Sequence, residues 1–197
     1  PLDKAYLGEQ LVSTYDDRHF GGPGGQYVLR KDLHIMACLM GAPRGTILDI
    51  PCGTGIYTAH LQQQGYALIG ADASGDMLQL AQTQAGGLDL LQADIHRLPV
   101  EPGSLAGVNI LRVFHHPPRC EVQAPLEKSN LPIRQDGWRL LDTLRWSPRR
   151  VGPEERHGMH VYSLPECRQV IKQAGLKVRA STSAYLFSAI RCRRLPV

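Results

Sequence analysis

Nothing constrains this chain more than the stretch Thr46-Ile47-Leu48-Asp49-Ile50-Pro51-Cys52-Gly53-Thr54-Gly55-Ile56-Tyr57-Thr58. Ile47 to Ile50 is a short apolar run, partly β-branched, and reads as a buried strand. Gly53 and Gly55 break the run, and Ile56 to Gln64 resumes at helical spacing until Gly65 stops it. A strand, a glycine turn and a helix let backbone N–H groups at a helix start approach a ligand closely.

Charge narrows the ligand. A dinucleotide fingerprint wants a third glycine after Gly53 and Gly55, and Thr58 holds that place. Asp49 closes the strand just ahead of the turn, where a carboxylate repels a pyrophosphate and attracts a cationic ligand without phosphates. Both features disfavour a dehydrogenase. Asp72 follows Gly53 at about the 20-residue interval at which an acidic residue holds ribose hydroxyls. A nucleoside with a positive charge in place of phosphates is S-adenosylmethionine.

Leu48-Asp49-Ile50-Pro51-Cys52-Gly53-Thr54-Gly55 resembles motif I of the class I S-adenosylmethionine-dependent methyltransferases. The likeness is closest to their small-molecule branch, which includes quinone-biosynthesis methyltransferases. The resemblance implies an α/β fold with a Rossmann-like doubly wound sheet, mostly parallel, of seven strands with an antiparallel C-terminal pair. It implies a single domain, with residues 1–41 as N-terminal helices and glycine-rich lid and 42–197 as cofactor-binding core. It also implies methyl transfer to a small-molecule acceptor, O- or C-methylation favoured, with S-adenosylhomocysteine as product. Pro51 stands where the family usually has glycine, which fixes φ negative and removes one N–H donor.

By the same resemblance, Asp49, Pro51, Cys52, Gly53 and Gly55 meet the cofactor at the turn. Asp72 takes the ribose hydroxyls, with Ala73 and Met77 behind it. Asp94 faces the adenine amino group and Ile95 packs on the ring, while Leu111 and Arg112 follow from the fourth strand. Cys52 is most simply a small residue packed in the turn, and His96 reads as surface.

The remaining elements follow from periodicity. Asp3 to Tyr15 is a helix with Ala5, Leu7, Leu11 and Val12 as its apolar stripe. The glycine-rich run Tyr15 to Gly25 is expected to be a mobile loop, and Gln26 to Met40 a second helix ending at Gly41. Tyr66 to Ala71 is the second strand and Leu88 to Ala93 the third, with Ser74 capping the helix between them. Gly107 to Phe114 is nearly all apolar, as a central parallel strand should be. Cys120 to Asn130 is a short helix between prolines, and Trp138 to Trp146 the fifth strand. Ser163-Leu164-Pro165-Glu166 is a capping box opening a helix that ends at Gly175. Leu176 to Ala180 and Tyr185 to Cys192 are the last two strands.

The fourth strand runs into His115 and His116. Ligands in open α/β sheets sit beyond the carboxyl ends of strands, which directs two histidines toward the chemistry. A neutral imidazole suits removal of a proton from an acceptor hydroxyl or acidic carbon. Small-molecule methyltransferases often end this strand with a paired histidine, whereas the Asn/Asp-Pro-Pro-aromatic signature of amino-group methyltransferases is absent. Tyr15 and Arg18 are cover residues by the same resemblance, and Asp142, Arg145 and Trp146 face substrate or form structural contacts.

Composition sets the outer limits. A chain of 197 residues, 43% hydrophobic and 20% charged, suits one globular domain. Its net charge of +4 gathers late, at Arg149-Arg150, Arg156 and Arg191-Arg193-Arg194, without the aromatic interleaving of an RNA-binding surface. Nucleic acid is therefore disfavoured as a partner, although an RNA methyltransferase and a non-catalytic cofactor-binding regulator stand as alternatives. Five scattered cysteines with no C-x-x-C pair point to reduced thiols in the cytoplasm. His157 and His160 lack a third ligand, so no metal is expected. No apolar run approaches the roughly 20 residues of a membrane span, and no signal-peptide pattern opens the chain. Oligomeric state is not encoded legibly.

Overall fold

The computed structural model describes residues 15–84, 86–111, 131–144, 164–174, 176–184 and 187–194. They fall in two compact units, residues 1–99 and 100–197.

The described part of the first unit begins with two helices, α1 (Tyr15–Phe20) and α2 (Gly22–Met40). The glycine-rich run expected to be a mobile loop is helical instead, and α2 starts at Gly22 rather than Gln26. Its glycines serve close packing. A Cβ on Gly25 would lie 2.5 Å from the Phe20 carbonyl carbon, and one on Gly21 would collide with the Asp17 carbonyl. The tight corner is closed by Gln26, whose Nε2 donates to the Phe20 carbonyl at 3.0 Å. α2 buries Leu29, Leu33, Met36, Leu39 and Met40 at helical spacing and ends, as expected, at Gly41.

The chain then alternates β1 (Ile47–Asp49), α3 (Ile56–Gln63), β2 (Leu68–Asp72), α4 (Gly75–Gln84) and β3 (Asp89–Gln92). The strands are parallel, in the order β3-β2-β1, with Leu48 opposite Ile69 and Ala71 opposite Leu91. Parallel strands need helical crossovers, so β1 and β2 are covered and read as continuous apolar runs. Leu48, Leu61, Ala71 and Ala81 have no exposed surface.

The second unit contains β4 (Leu105–Ile110), β5 (Ile133–Leu144), α5 (Leu164–Gln173), β6 (Leu176–Ala184) and β7 (Phe187–Arg194). β4 and β5 are parallel, while β7 runs antiparallel to both β5 and β6. The mostly parallel α/β arrangement and its antiparallel C-terminal pair are as expected.

The other strands lie within a few residues of their expected bounds, with β6 running on to Ala184, but β4 and β5 differ more. β4 begins at Leu105, ahead of Gly107, and ends at Ile110. β5 begins at Ile133, well ahead of Trp138, because Ile133 pairs with Leu105 before the register shifts between Leu105 and Gly107. The exposed Arg134, Gln135 and Asp136 interrupt the apolar pattern there, so hydrophobic periodicity hides the strand. The helix expected over 120–130 and the histidines His157 and His160 lie outside the described residues.

Candidate functional site

The site is built at the ends of β1 and β2. Asp49 ends β1 only 2% exposed and accepts a 2.6 Å hydrogen bond from the hydroxyl of Thr58 in the first turn of α3. The residue that breaks the dinucleotide fingerprint therefore anchors the carboxylate that gives the turn its charge.

Gly53 and Gly55 both adopt positive φ, 54° and 75°, which glycine alone takes without strain. A Cβ on Gly55 would press within 3.0 Å of Ala81 Cβ, whereas one on Gly53 would meet nothing within 4 Å. The first glycine thus faces open space and the second faces packed helix. Between them and the sheet sits Cys52, 7% exposed, whose N–H donates to the Ala71 carbonyl at 2.8 Å. Burial, with the nearby charges of Asp49 and Asp72, pushes its thiol far up, so Cys52 is a packing residue, as expected.

Asp72 ends β2 and reaches back to the turn. Its Oδ2 accepts from the Gly53 N–H and its Oδ1 from the Ser74 N–H, each at 2.9 Å. Burial raises its pKa above the usual carboxylate value, against the amide hydrogen bonds that lower it. Ser74 caps α4, its hydroxyl accepting from the N–H of buried Met77 at 3.3 Å. The Ala73 carbonyl takes the Gln92 side chain at 3.2 Å. After β3, exposed Asp94 folds a tight turn, accepting from the His96 N–H at 2.9 Å, with half-buried Ile95 beside it and His96 on the surface. Across β3, β2 and β1 the strand ends thus present Asp94, Asp72 and Asp49 in order.

Three polar residues missed in the sequence complete the arrangement. Asp16 in α1 accepts from the Thr54 hydroxyl at 2.7 Å, joining the N-terminal helices to the glycine turn. Thr58 holds Asp49. One residue before Thr58 in α3, Tyr57 donates to Asp32 of α2 at 2.8 Å and takes Phe20 edge-on, ring centroids 5.6 Å apart. Asp16 is hidden because its segment reads as loop by glycine content; its position beside Tyr15, a cover residue only by resemblance, is the available signal.

Of the remaining residues, Pro51 is exposed at the turn and Leu111 is buried after β4. Tyr15 and Arg18 fall in α1, and Asp142 lies within β5 opposite Ala189. Arg112, His115, His116, Arg145 and Trp146 lie outside the described residues.

A glycine turn open on one side, with carboxylates and, among the described residues, no cation at its contacts, fits a cationic nucleoside. Comparison with known proteins agrees. Residues 47–137 match the methyltransferase domain family. A curated relative, an uncharacterized methyltransferase of Alkaliphilus oremlandii (strain OhILAs), is 26% identical over 115 residues, which is 56% of this chain and 53% of that protein. The chain thus spans about half the length of that relative. Magnesium protoporphyrin IX methyltransferase from Synechocystis PCC 6803, with bound S-adenosylhomocysteine, superposes at a TM-score of 0.72 with 19% identity, over 98% of this chain and 100% of that one. A possible histamine N-methyltransferase from Thermotoga maritima gives 0.72 with 16% identity, over 98% and 100%. The fold is shared with these solved methyltransferases, and residues 47–137 match the methyltransferase domain.

Proposed function

We propose that this chain binds S-adenosylmethionine at the carboxyl ends of β1, β2 and β3 and methylates a small-molecule acceptor, oxygen or carbon being favoured. The single observation that carries it is Asp72 held against the Gly53 amide at 2.9 Å, beside a turn that buried Asp49 leads into. When bound, the cofactor supplies an activated methyl group on a sulfonium. Asp72 accepts ribose hydroxyls, Asp94 and Ile95 meet the adenine, and the turn from Asp49 to Gly55 takes the methionine end.

Residues of this chain contribute mainly by positioning, since a near-attack pose alone can supply about 7–11 kcal/mol of a barrier. Tyr15 and Arg18 in α1 belong to the cover that excludes water. His115 or His116 accepts the acceptor's proton, and Asp142, Arg145 and Trp146 are further substrate contacts. Among the described residues no helix is long and apolar enough to cross a membrane, and the free thiols Cys38 and Cys52 suit a reducing, cytoplasmic setting.

Calorimetric titration with S-adenosylmethionine and with NADH, repeated on Asp72→Ala, tests the cofactor. Saturation by the first ligand alone, lost in the variant, is expected; binding of NADH instead would overturn the assignment. Replacing His115 and His116 together by alanine should lower turnover by roughly 100-fold or more if either is the base, and turnover within a few-fold of wild type would remove that role.

A further inference from the structure

Resting on the cofactor proposal above, we infer that Asp16 is a specificity-determining residue, its carboxylate receiving the α-ammonium group of the cofactor's amino-acid tail. The observation is the Asp16–Thr54 hydrogen bond, 2.7 Å from the Thr54 hydroxyl to Oδ1, which brings an acidic side chain of α1 onto the glycine turn. Thr54 is 2% exposed and fixed in that turn, so its hydroxyl orients the carboxylate rather than following it.

Strand order gives the position. Adenine belongs at Asp94 beyond β3 and ribose at Asp72 beyond β2, so the rest of the ligand extends toward β1 and its turn. Asp16 meets the turn at Thr54, on that far side from the adenine. The group it meets there is the amino-acid tail. Thr54 occupies one carboxylate oxygen, and Oδ2 takes no hydrogen bond among the described residues, so it can accept from an ammonium N–H. The position is also half-buried, where a charge-assisted bond is stronger than in water. Phe20 against Tyr57 and Asp32 on the Tyr57 hydroxyl hold α1 and α2 to α3, so the carboxylate arrives on a braced element. Asp16 would thereby separate nucleosides with the amino-acid tail from those without it.

The test measures binding, with S-adenosylhomocysteine and 5′-methylthioadenosine as probes, because the second keeps adenine and ribose but lacks the ammonium. Titration calorimetry is run on wild type, Asp16→Asn, Asp17→Asn and Asp72→Ala, with thermal melts confirming each fold. Asp16→Asn should weaken S-adenosylhomocysteine by about tenfold or more, the range for a hydrogen bond to a charged group, and leave 5′-methylthioadenosine within about twofold. Exposed Asp17 carries the same charge one position along, so Asp17→Asn should move neither probe. Equal losses of both probes in Asp16→Asn, or no loss, would overturn the role. Failure of wild type to bind either probe, or of Asp72→Ala to weaken both, would instead overturn the cofactor reading itself.

Discussion

Asp72 and Gly53 are joined across the gap between β2 and the glycine turn by a 2.9 Å hydrogen bond from amide to carboxylate. Burial raises the pKa of Asp72 in the fold, desolvation outweighing its hydrogen bonds to Ser74, Gly53 and Ala73. The ionised carboxylate is therefore a cost to the folded chain, present above its folded value and relieved as pH falls through it toward the ordinary value. Over that window the native state holds a proton that the unfolded state has released, so stability rises on acidification. Wild type should gain on Asp72→Asn in urea midpoint as pH is lowered through that window. S-adenosylhomocysteine binding should weaken over the same interval, because the ribose contact proposed for Asp72 needs the carboxylate form as acceptor. A flat stability difference would show that the raised pKa is not a property of the folded protein.

The two cysteines whose surroundings are described should separate chemically. Cys52 is buried with its thiol pushed far up, while Cys38 is exposed on α2 beside the His34 imidazole at 3.7 Å. Since the thiolate is the reactive species, iodoacetamide on the native protein should alkylate Cys38 and spare Cys52. Mass spectrometry of peptides reads both sites, and unfolding in urea should make Cys52 react as well. Modification of native Cys52 at the rate of Cys38 would contradict its burial.

The first half of the chain was largely legible because its signals are local. Ile47 to Gly55 announces strand and turn, Ser74 its cap, and Gly41 the end of α2, each through a residue type with one strong preference. What escaped was set by tertiary contact. Gly21 and Gly25 look like flexible loop in sequence, yet they are small so that α1 and α2 can meet at a tight corner. The start of β5 escaped because Arg134 to Asp136 are polar, and only pairing of Ile133 with Leu105 makes the segment a strand. Asp16 carries no motif and Thr58 reads only as a missing glycine; their roles arise when Thr54 and Asp49 are brought to them.

Gly107 marks a second place where small size is the requirement. It lies opposite Trp138 in the β4–β5 ladder, and a Cβ there would collide with the indole ring. The ring has little room to retreat, since Trp138 is 7% exposed and the Arg191 guanidinium lies 5.6 Å from its centroid. Gly107→Ala should destabilise the protein by about 1–3 kcal/mol, the usual cost of overpacking. Adding Trp138→Leu should recover part of that loss, giving a favourable coupling between the two sites in a double-mutant cycle. Independent, additive losses would mean that the ring is not what the added methyl meets.

Asn109 offers the opposite case, a substitution that should stabilise. It sits in β4 between Val108 and Ile110 with no exposed surface, and neither its Nδ2 nor its Oδ1 has a hydrogen-bond partner among the described residues. An amide buried without partners forfeits its bonds to water, a cost of about 1–3 kcal/mol. Leucine is close to asparagine in shape and asks for no partner, so Asn109→Leu should raise stability by about 1–2 kcal/mol, or roughly 2–4 °C in Tm per kcal/mol at this chain length. Asn109→Asp adds a charge to the same site and should lower Tm sharply at neutral pH, with recovery as the carboxyl is protonated. Thermal melts of the three proteins across pH decide the matter. A loss of stability in Asn109→Leu would show that the amide is satisfied in solution, by an internal water or a neighbour that leucine cannot replace.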